Sequence, residues 1–350
     1  MSNSLPLVSV IMAVKNGGKL VCKAIESILD QTYINVELII INDGSTDSTL
    51  EIIKEFKDTR IIILSQENQG LSKSLNRGFG ESKGKYIARQ DHDDLSMPTR
   101  LAKQVEFLEL HPECGLVGTR SEIWSENNRT PRYHDHPTKP GVLAFELLFN
   151  NPFVHTSWML RAEVIQTIGL YTTDPLREPP EDYEYISRIM RQYSVANLAE
   201  RLVIYREMPN SLSSQIRPDS VGIKNTFAFR LALISAENLA FANNIDMPNK
   251  DCIGFGELTH SYNPIASNYW DLKKIKALII NAANNLYEKH GDQEIIKLLK
   301  NKIDFINYKY FYMKYHLYKK KNYLYSIFYY FIYKYNISLL PRLKKYLNLE

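Results

Sequence analysis

A chain of 350 residues, 44% hydrophobic and 23% charged, is long enough for about two domains and too apolar to be largely disordered. Fifteen Gly and fifteen Pro exclude collagen-like and low-complexity chains, and three scattered cysteines (Cys22, Cys114, Cys252) exclude a disulfide scaffold or a thiolate zinc site. The formal net charge of +4 implies no nucleic-acid partner, and the first apolar run has no basic flank and cannot span a membrane, so a cytoplasmic chain is expected.

In chain order, Val8 to Val14 reads as a buried strand closed by the turn Lys15-Asn16-Gly17-Gly18. Leu20, Ala24, Ile25, Ile28 and Leu29 then recur at helical spacing, and Val36 to Ile41 is a second strand. After Asn42-Asp43-Gly44-Ser45, Asp47 can cap a helix carrying Leu50, Ile53 and Phe56. Arg60 to Leu64 is the third strand, Leu71 to Ser82 the third helix and Lys85 to Arg89 the fourth strand. Right-handed crossovers turn this βαβαβαβ order into a parallel sheet with helices on both faces, and ligands collect at the carboxyl ends of its strands. A helix to about Leu110 and a strand from Gly115 to Thr119 follow, then mixed elements with one helix from about Glu181 to Tyr193, and from about Val221 helix after helix. Residues 1–215 are expected to form an α/β domain and 216–350 a helical C-terminal region.

Asp91-His92-Asp93-Asp94 directly follows the fourth strand. Three carboxylates in four residues repel one another unless a cation joins them, and in an extended segment Asp91 and Asp93 point the same way. Such oxygen donors suit Mg²⁺ or Mn²⁺, which take one or two carboxylates, waters and substrate phosphates. A solvated acidic loop is the plain alternative, and the position at a strand's carboxyl end argues against it. The first turn, KNGG, is no Gly-rich phosphate cradle. Asp43 ends the second strand at the same edge, where it can accept from a ribose hydroxyl or a base N–H, or simply close an Asx turn. Glu181 and Asp182 open a helix after Pro179-Pro180. They are either acids favoured by the helix dipole or a general base for an attacking hydroxyl.

VSVIMAVKN, SILDQTY, VELIIINDGSTDST, NQGLSKSLNRGF, GKYIARQDHDDLSMPTRL, EDYEYISRI and YREMPNSLSS occur in an order that resembles the family 2 inverting glycosyltransferases of bacterial surface-polysaccharide and lipooligosaccharide synthesis, over about Val8 to Ser214. The resemblance implies a GT-A fold, a mixed, mostly parallel sheet with flanking helices. It implies a nucleotide-diphosphate sugar donor, UDP-linked in most relatives, and displacement with inversion onto a hydroxyl of a glycan or lipid-linked glycan. It assigns Asp43 and the backbone near Ala13 to the base, Asp91 to ribose and metal, Asp93 to the metal, and Asp182 to the general base, with Glu181 beside it. His155 matches a segment bordering the sugar pocket and is a candidate substrate contact, although a lone His among apolar residues is more often structural. Met208 stands where relatives frequently carry His, and Met is a poor ligand for a hard cation. Asn42 stands where many have Asp.

From Lys300 to Glu350 eleven Lys and Arg face two acids, and eleven of the 23 tyrosines fall between Tyr308 and Tyr335. The longest uncharged stretch there, Asn322 to Tyr333, is too short for the ~20 residues of a membrane span. The tail is either a helical pair packed on the protein or an in-plane contact on the inner face of the membrane, suited to a lipid-linked acceptor. Two other functions use similar residues. An aspartate-nucleophile phosphohydrolase prefers its acid pair on the first strand, with Thr or Val where Leu95 stands; a catalytically silent nucleotide-sugar binding protein would tolerate Met208.

Overall fold

The computed structural model describes residues 5–125, 130–208, 221–260 and 270–318, with the backbone alone at 221–226 and 317–318. The segment that holds Lys319-Lys320-Lys321 and Asn322 to Tyr333 lies outside the described residues. The chain divides into two compact units, Met1–Glu146 with Asn151–Arg217, and Leu147–Asn150 with Pro218–Glu350.

The first unit is built on nine strands: β1 Val8–Val14, β2 Val36–Asp43, β3 Ile61–Gln66, β4 Tyr86–Asp91, β5 Leu95–Ser96, β6 Cys114–Trp124, β7 Arg132–His134, β8 Met159–Arg161 and β9 Ser194–Arg206. Their order is β3-β2-β1-β4-β8-β6-β9-β5, with β7 on β6. The β3-β2-β1-β4 block is parallel, as the βα alternation requires. Beyond β4 the sheet is mixed: β8 runs antiparallel to β4 and β6, while β9 is parallel to β6.

Helices α1 Leu20–Leu29, α2 Thr49–Glu55 and α4 Arg100–Leu110 bury apolar stripes against one face, where Val10, Met12, Leu38, Ile40, Ala88 and Leu101 form the centre of the core. Helix α3 Leu71–Glu81 covers the other face. It packs so closely that a Cβ on Gly78 would stand 2.5 Å from Ile11 Cγ2, which makes glycine the residue that fits. Short helices α5 Pro140–Glu146 and α6 Ala162–Ile168, a 3₁₀ turn at His155–Ser157 and α7 Glu181–Met190 complete the unit. Sequence reading ends α7 at Tyr193 and β6 at Thr119, but the helix stops at Met190 and the strand runs on to Trp124. Arg120 and Glu122 interrupt the apolar run of β6, so hydropathy alone hid its second half.

Among the described residues of the second unit, the helices are α8 Val221–Ala242, α9 Lys250–His260, α10 Leu272–His290 and α11 Glu294–Tyr318. Ala236, Ala240 and Cys252 pack together at its core. Asp271 caps α10 by accepting from the Lys273 and Lys274 N–H groups, both at 3.1 Å. No helix among the described residues is long and apolar enough to cross a membrane.

Arg100, at the start of α4, is fully buried. Its Nη1 donates to Gln90 Oε1 (3.0 Å) and Ser96 Oγ (2.7 Å), its Nη2 to the carbonyls of Arg89 (2.7 Å) and Trp158 (3.2 Å), and its Nε to Gln104 Oε1 (3.1 Å). This guanidinium fastens the carboxyl end of β4 to α4 and to the chain before β8. Burial, reinforced by the charge of Arg89, pushes its pKa down to about 9, so it remains charged at neutral pH. Arg100→Ala strands several buried acceptors and leaves a cavity, so a loss of roughly 2–5 kcal/mol is expected. Urea unfolding followed by tryptophan fluorescence measures it, and an unchanged midpoint would refute this role.

Candidate active site

The parallel register sets the site. Ala13 lies beside Ile41 of β2 and beside Asp91 of β4, while Asp43 is the last residue of β2. Ala13, Asp43 and Asp91 therefore share the carboxyl edge of three adjacent strands, where an open α/β sheet presents its ligands. Two turns line this edge and hold each other. Asn16 takes a left-handed conformation (φ 55°), its N–H donates to Ser45 Oγ (3.0 Å), and its Oδ1 accepts from the Thr46 N–H (2.8 Å). A Cβ on Gly17 would meet His92 Cδ2 at 2.8 Å, so the KNGG turn closes on the acidic turn through a position that requires glycine.

Asp43 is 5% exposed and accepts from Gln66 Nε2 (2.8 Å) and from the N–H groups of Gln69 (2.8 Å) and Gly70 (2.9 Å). Burial works to raise its pKa, but these donors together outweigh it and hold the carboxyl below the ordinary range. The side chain thus fixes the loop between β3 and α3, a role its position in NDGS did not disclose.

Sequence reading treats Asp91 and Asp93 as alternate residues of one extended segment. The structure differs: β4 ends at Asp91, and His92 and Asp93 form a tight turn in which the Asp94 N–H approaches the Asp91 carbonyl at 3.4 Å. The Asp91 N–H donates to Thr156 Oγ1 (2.9 Å), and its carboxylate pairs with Arg89 Nη2 at 2.7 Å. Burial opposes the Asp91 charge, but Arg89 prevails and lowers its pKa. Asp93 is raised by burial and then by Asp91. Asp94 is 1% exposed and raised well above its usual value by burial, with Asp91 and Asp93 adding repulsion. Its Oδ1 accepts from the Arg206 N–H at 2.8 Å, which ties the turn to the end of β9, two residues before the half-buried Met208.

No trio of His, Cys, Asp or Glu among the described residues forms a protein-only metal cage. Two accessible carboxylates over a third, buried one do fit a dication completed by water and substrate phosphate, since each acid here raises the cost of ionising its neighbours.

The acids of α7 face the same region. Asp182 Oδ2 accepts from Asn151 Nδ2 (2.8 Å) and its Oδ1 from the Tyr183 N–H (2.7 Å). Burial raises its pKa, while these two donors favour the charged form. Glu181 is pushed up to about 7 by burial and by the charge of Asp182. Its Oε1 lies 3.9 Å from His155 Nδ1, and His155 Nε2 shares a 2.8 Å hydrogen bond with the Tyr171 hydroxyl. Burial, with the charge of Arg89 next, drives the His155 pKa well below its usual value, so the ring is neutral. His155 stands beside Glu181 as a hydrogen-bonded member of the wall. Tyr171 is stacked on Tyr185 (4.3 Å) and Phe79 (5.4 Å) and held by Asn76, whose Oδ1 accepts from the Tyr171 N–H at 2.9 Å.

Sequence reasoning overlooked Arg89, Asn151, Thr156 and Tyr171. Arg89 left a signal, a cation inside the otherwise uncharged strand YIARQ, two residues from Asp91 and therefore on the same side.

A sheet with its acids at this edge is the framework of a nucleotide-sugar transferase, and comparison with known proteins agrees. The profile described as "Glycosyl transferase family 2" matches residues 9–169. EpsE of Bacillus subtilis, described as a glycosyltransferase, is 39% identical over 211 residues, covering 59% of this chain and 74% of its own. The O-antigen biosynthesis glycosyltransferase WbnJ of Escherichia coli is 35% identical, covering 58% of this chain and 80% of its own. The chain belongs to glycosyltransferase family 2 and is a glycosyltransferase. Membership sets aside the phosphohydrolase alternative. Residues 1–349 of TarS from S. aureus, solved with UDP-GlcNAc, share the fold with a TM-score of 0.59 at 16% identity, covering 93% of this chain and 89% of that one.

Asp43 supplies a test of the loop lock. Its folded pKa is depressed, so its contribution to stability is complete above the unfolded value near 4 and fades as pH falls through the folded one. Asp43→Asn is expected to cost about 1–3 kcal/mol at pH 6, with the gap to wild type closing towards pH 3. Denaturant midpoints across that range decide it, and a pH-independent gap would contradict it.

Proposed function

We propose that the enzyme transfers a hexose or N-acetylhexosamine from a UDP-sugar to a hydroxyl of a glycan or lipid-linked glycan acceptor, with inversion and with a divalent cation, Mn²⁺ or Mg²⁺. The carrying observation is the alignment of Ala13, Asp43 and Asp91 on three neighbouring strand ends, with Asp93 in the next turn and the α7 acids facing them. UDP-GlcNAc bound by TarS on the same fold supports the donor class, and the O-antigen role of WbnJ supports an acceptor in cell-surface polysaccharide synthesis.

In this reading Asp43 and the backbone at Ala13 border the base, and Asp91 the ribose. The carboxylates of Asp91 and Asp93 would hold the cation, which when bound supplies positive charge to the departing diphosphate. Asp182, oriented by Asn151 and the Tyr183 N–H, which favour its charged form against burial, takes the acceptor's proton as the acceptor oxygen attacks the anomeric carbon. The new bond to the acceptor oxygen forms as the bond to the diphosphate oxygen breaks, so no covalent enzyme intermediate arises. His155 borders the sugar beside Glu181, and the contact that a His would make at Met208 is absent, replaced from elsewhere or supplied by water. We further assign residues 1–215 to catalysis and 216–350 to approach of the acceptor, with the basic tail resting on an anionic membrane surface at the cytoplasmic face.

UDP release from UDP-sugars with Mn²⁺ tests this. Wild-type enzyme is expected to release UDP, Asp93→Ala to lose activity by a factor of about 10² or more, and Asp182→Asn likewise. Donor binding without turnover would instead identify a silent binding protein. A proton on the Glu181–Asp182 pair can pass to Asp182 and disable the base, so kcat/KM should rise with pH through the step near 7 at which Glu181 loses its proton. In Glu181→Gln that step should vanish from the pH–rate profile; its persistence would show that another group sets it.

A further inference from the structure

Arg89 and Arg100 are neighbouring buried guanidiniums with opposite bonding. Every nitrogen of Arg100 donates to an acceptor, as expected of a structural arginine. Arg89 is 4% exposed, yet only Nη2 is engaged, on Asp91; Nε and Nη1 are sealed from solvent with no acceptor in hydrogen-bond reach. A buried cation with two idle donors is costly, and such a group persists where it serves something besides folding. The Arg89 charge bears on Asp91, His155, Tyr171, Glu181 and Asp182. Its backbone is pinned independently: its N–H donates to the Trp158 carbonyl (2.8 Å), and its own carbonyl accepts from Arg100 (2.7 Å). The Arg89 backbone and its Nη2 are therefore fixed, and its charge reaches both the acids at the end of β4 and those at the start of α7.

We propose that Arg89 is a positioning residue of the transfer step: its Nη2 fixes the Asp91 carboxylate from behind, and its buried charge holds the carboxylates of α7 in place for the acceptor. The role rests on the transferase reading above. Arg89 touches no reacting atom in it and acts through Asp91, Glu181 and Asp182. Lysine is a poor replacement, since a single ammonium cannot address both sets of acids as a planar fork does.

The experiment is a kinetic comparison of Arg89→Met and Arg89→Lys in the full chain, by UDP release with Mn²⁺, in wild-type and Asp182→Asn backgrounds. Arg89→Met is expected to lower kcat by about 100-fold and to raise KM for the UDP-sugar by about threefold or more, because Asp91 loses its fixed place at the ribose and the cation while the α7 acids lose their orientation. Arg89→Lys should recover part of the loss, to within about tenfold of wild type. In the Asp182→Asn background, Arg89→Met should cost several-fold less than in wild type, because the part of its action that runs through Asp182 is already gone and only the part through Asp91 remains. Equal losses in both backgrounds would mean a merely structural arginine and overturn the proposal, as would a wild-type kcat in either single variant. If Arg89→Met fails to fold, Arg89→Lys still decides, since wild-type kcat there refutes the need for a fork. Absence of UDP release by the wild-type enzyme would overturn the transferase reading and this role with it, whereas a fully active Arg89 variant removes the role alone.

Discussion

Like charge crowded around a buried guanidinium is the constraint on which the site depends. Asp91, Asp93 and Asp94 share one turn, Glu181 and Asp182 share the first turn of a helix, and the field of Arg89 reaches both groups. Asp91 is favoured in its charged form by its pairing with Arg89, while burial and the charge of neighbouring acids raise Asp93, Asp94 and Glu181, and burial raises Asp182. Such a cluster has two ways to relieve itself: to take up protons or to take up a cation. The first poises Glu181 near neutrality, and the second is the cation uptake proposed above, in which the donor's diphosphate would complete the coordination.

The fold makes this arrangement rigid by spending polar side chains on backbone positions. Arg100 clamps the carbonyls of Arg89 and Trp158, Thr156 receives the Asp91 N–H, and Asp94 receives that of Arg206. Asp43 closes the loop before α3, and the Asn16 and Ser45 turns hold each other. Each anchor joins segments far apart in the chain, so strand ends from separate βα units meet with fixed geometry. A charge cluster on mobile loops would relax by moving apart; here the backbone gives it no such freedom.

The parallel block was legible from the sequence because β1, β2 and β4 are buried on both faces and read as short apolar runs, while α1 and α3 carry helical spacing. The position of the acids at the strand ends followed from topology alone. Three things were hidden. The turn at His92-Asp93 replaced an extended pair because local hydrogen bonding at Asp94 ended the strand, and no hydropathy pattern marks that. The mixed half of the sheet rests on β8, three residues long, and β5, two residues long, pieces too short for periodicity to register. The partners of the acids, Arg89, Asn151, Thr156 and Tyr171, lie up to 65 residues away from them or looked like ordinary strand and loop residues, and only tertiary structure brings them together.

The most direct measurement of the central claim is calorimetric titration of UDP into the enzyme, with Mn²⁺ and then with a chelator in excess. Binding with Mn²⁺ is expected to be at least about tenfold tighter than without it, and the advantage should disappear in Asp91→Ala and in Asp93→Ala while both variants keep the wild-type circular dichroism. UDP bound equally well with and without the cation, or a metal advantage that survives loss of both carboxylates, would contradict the claim.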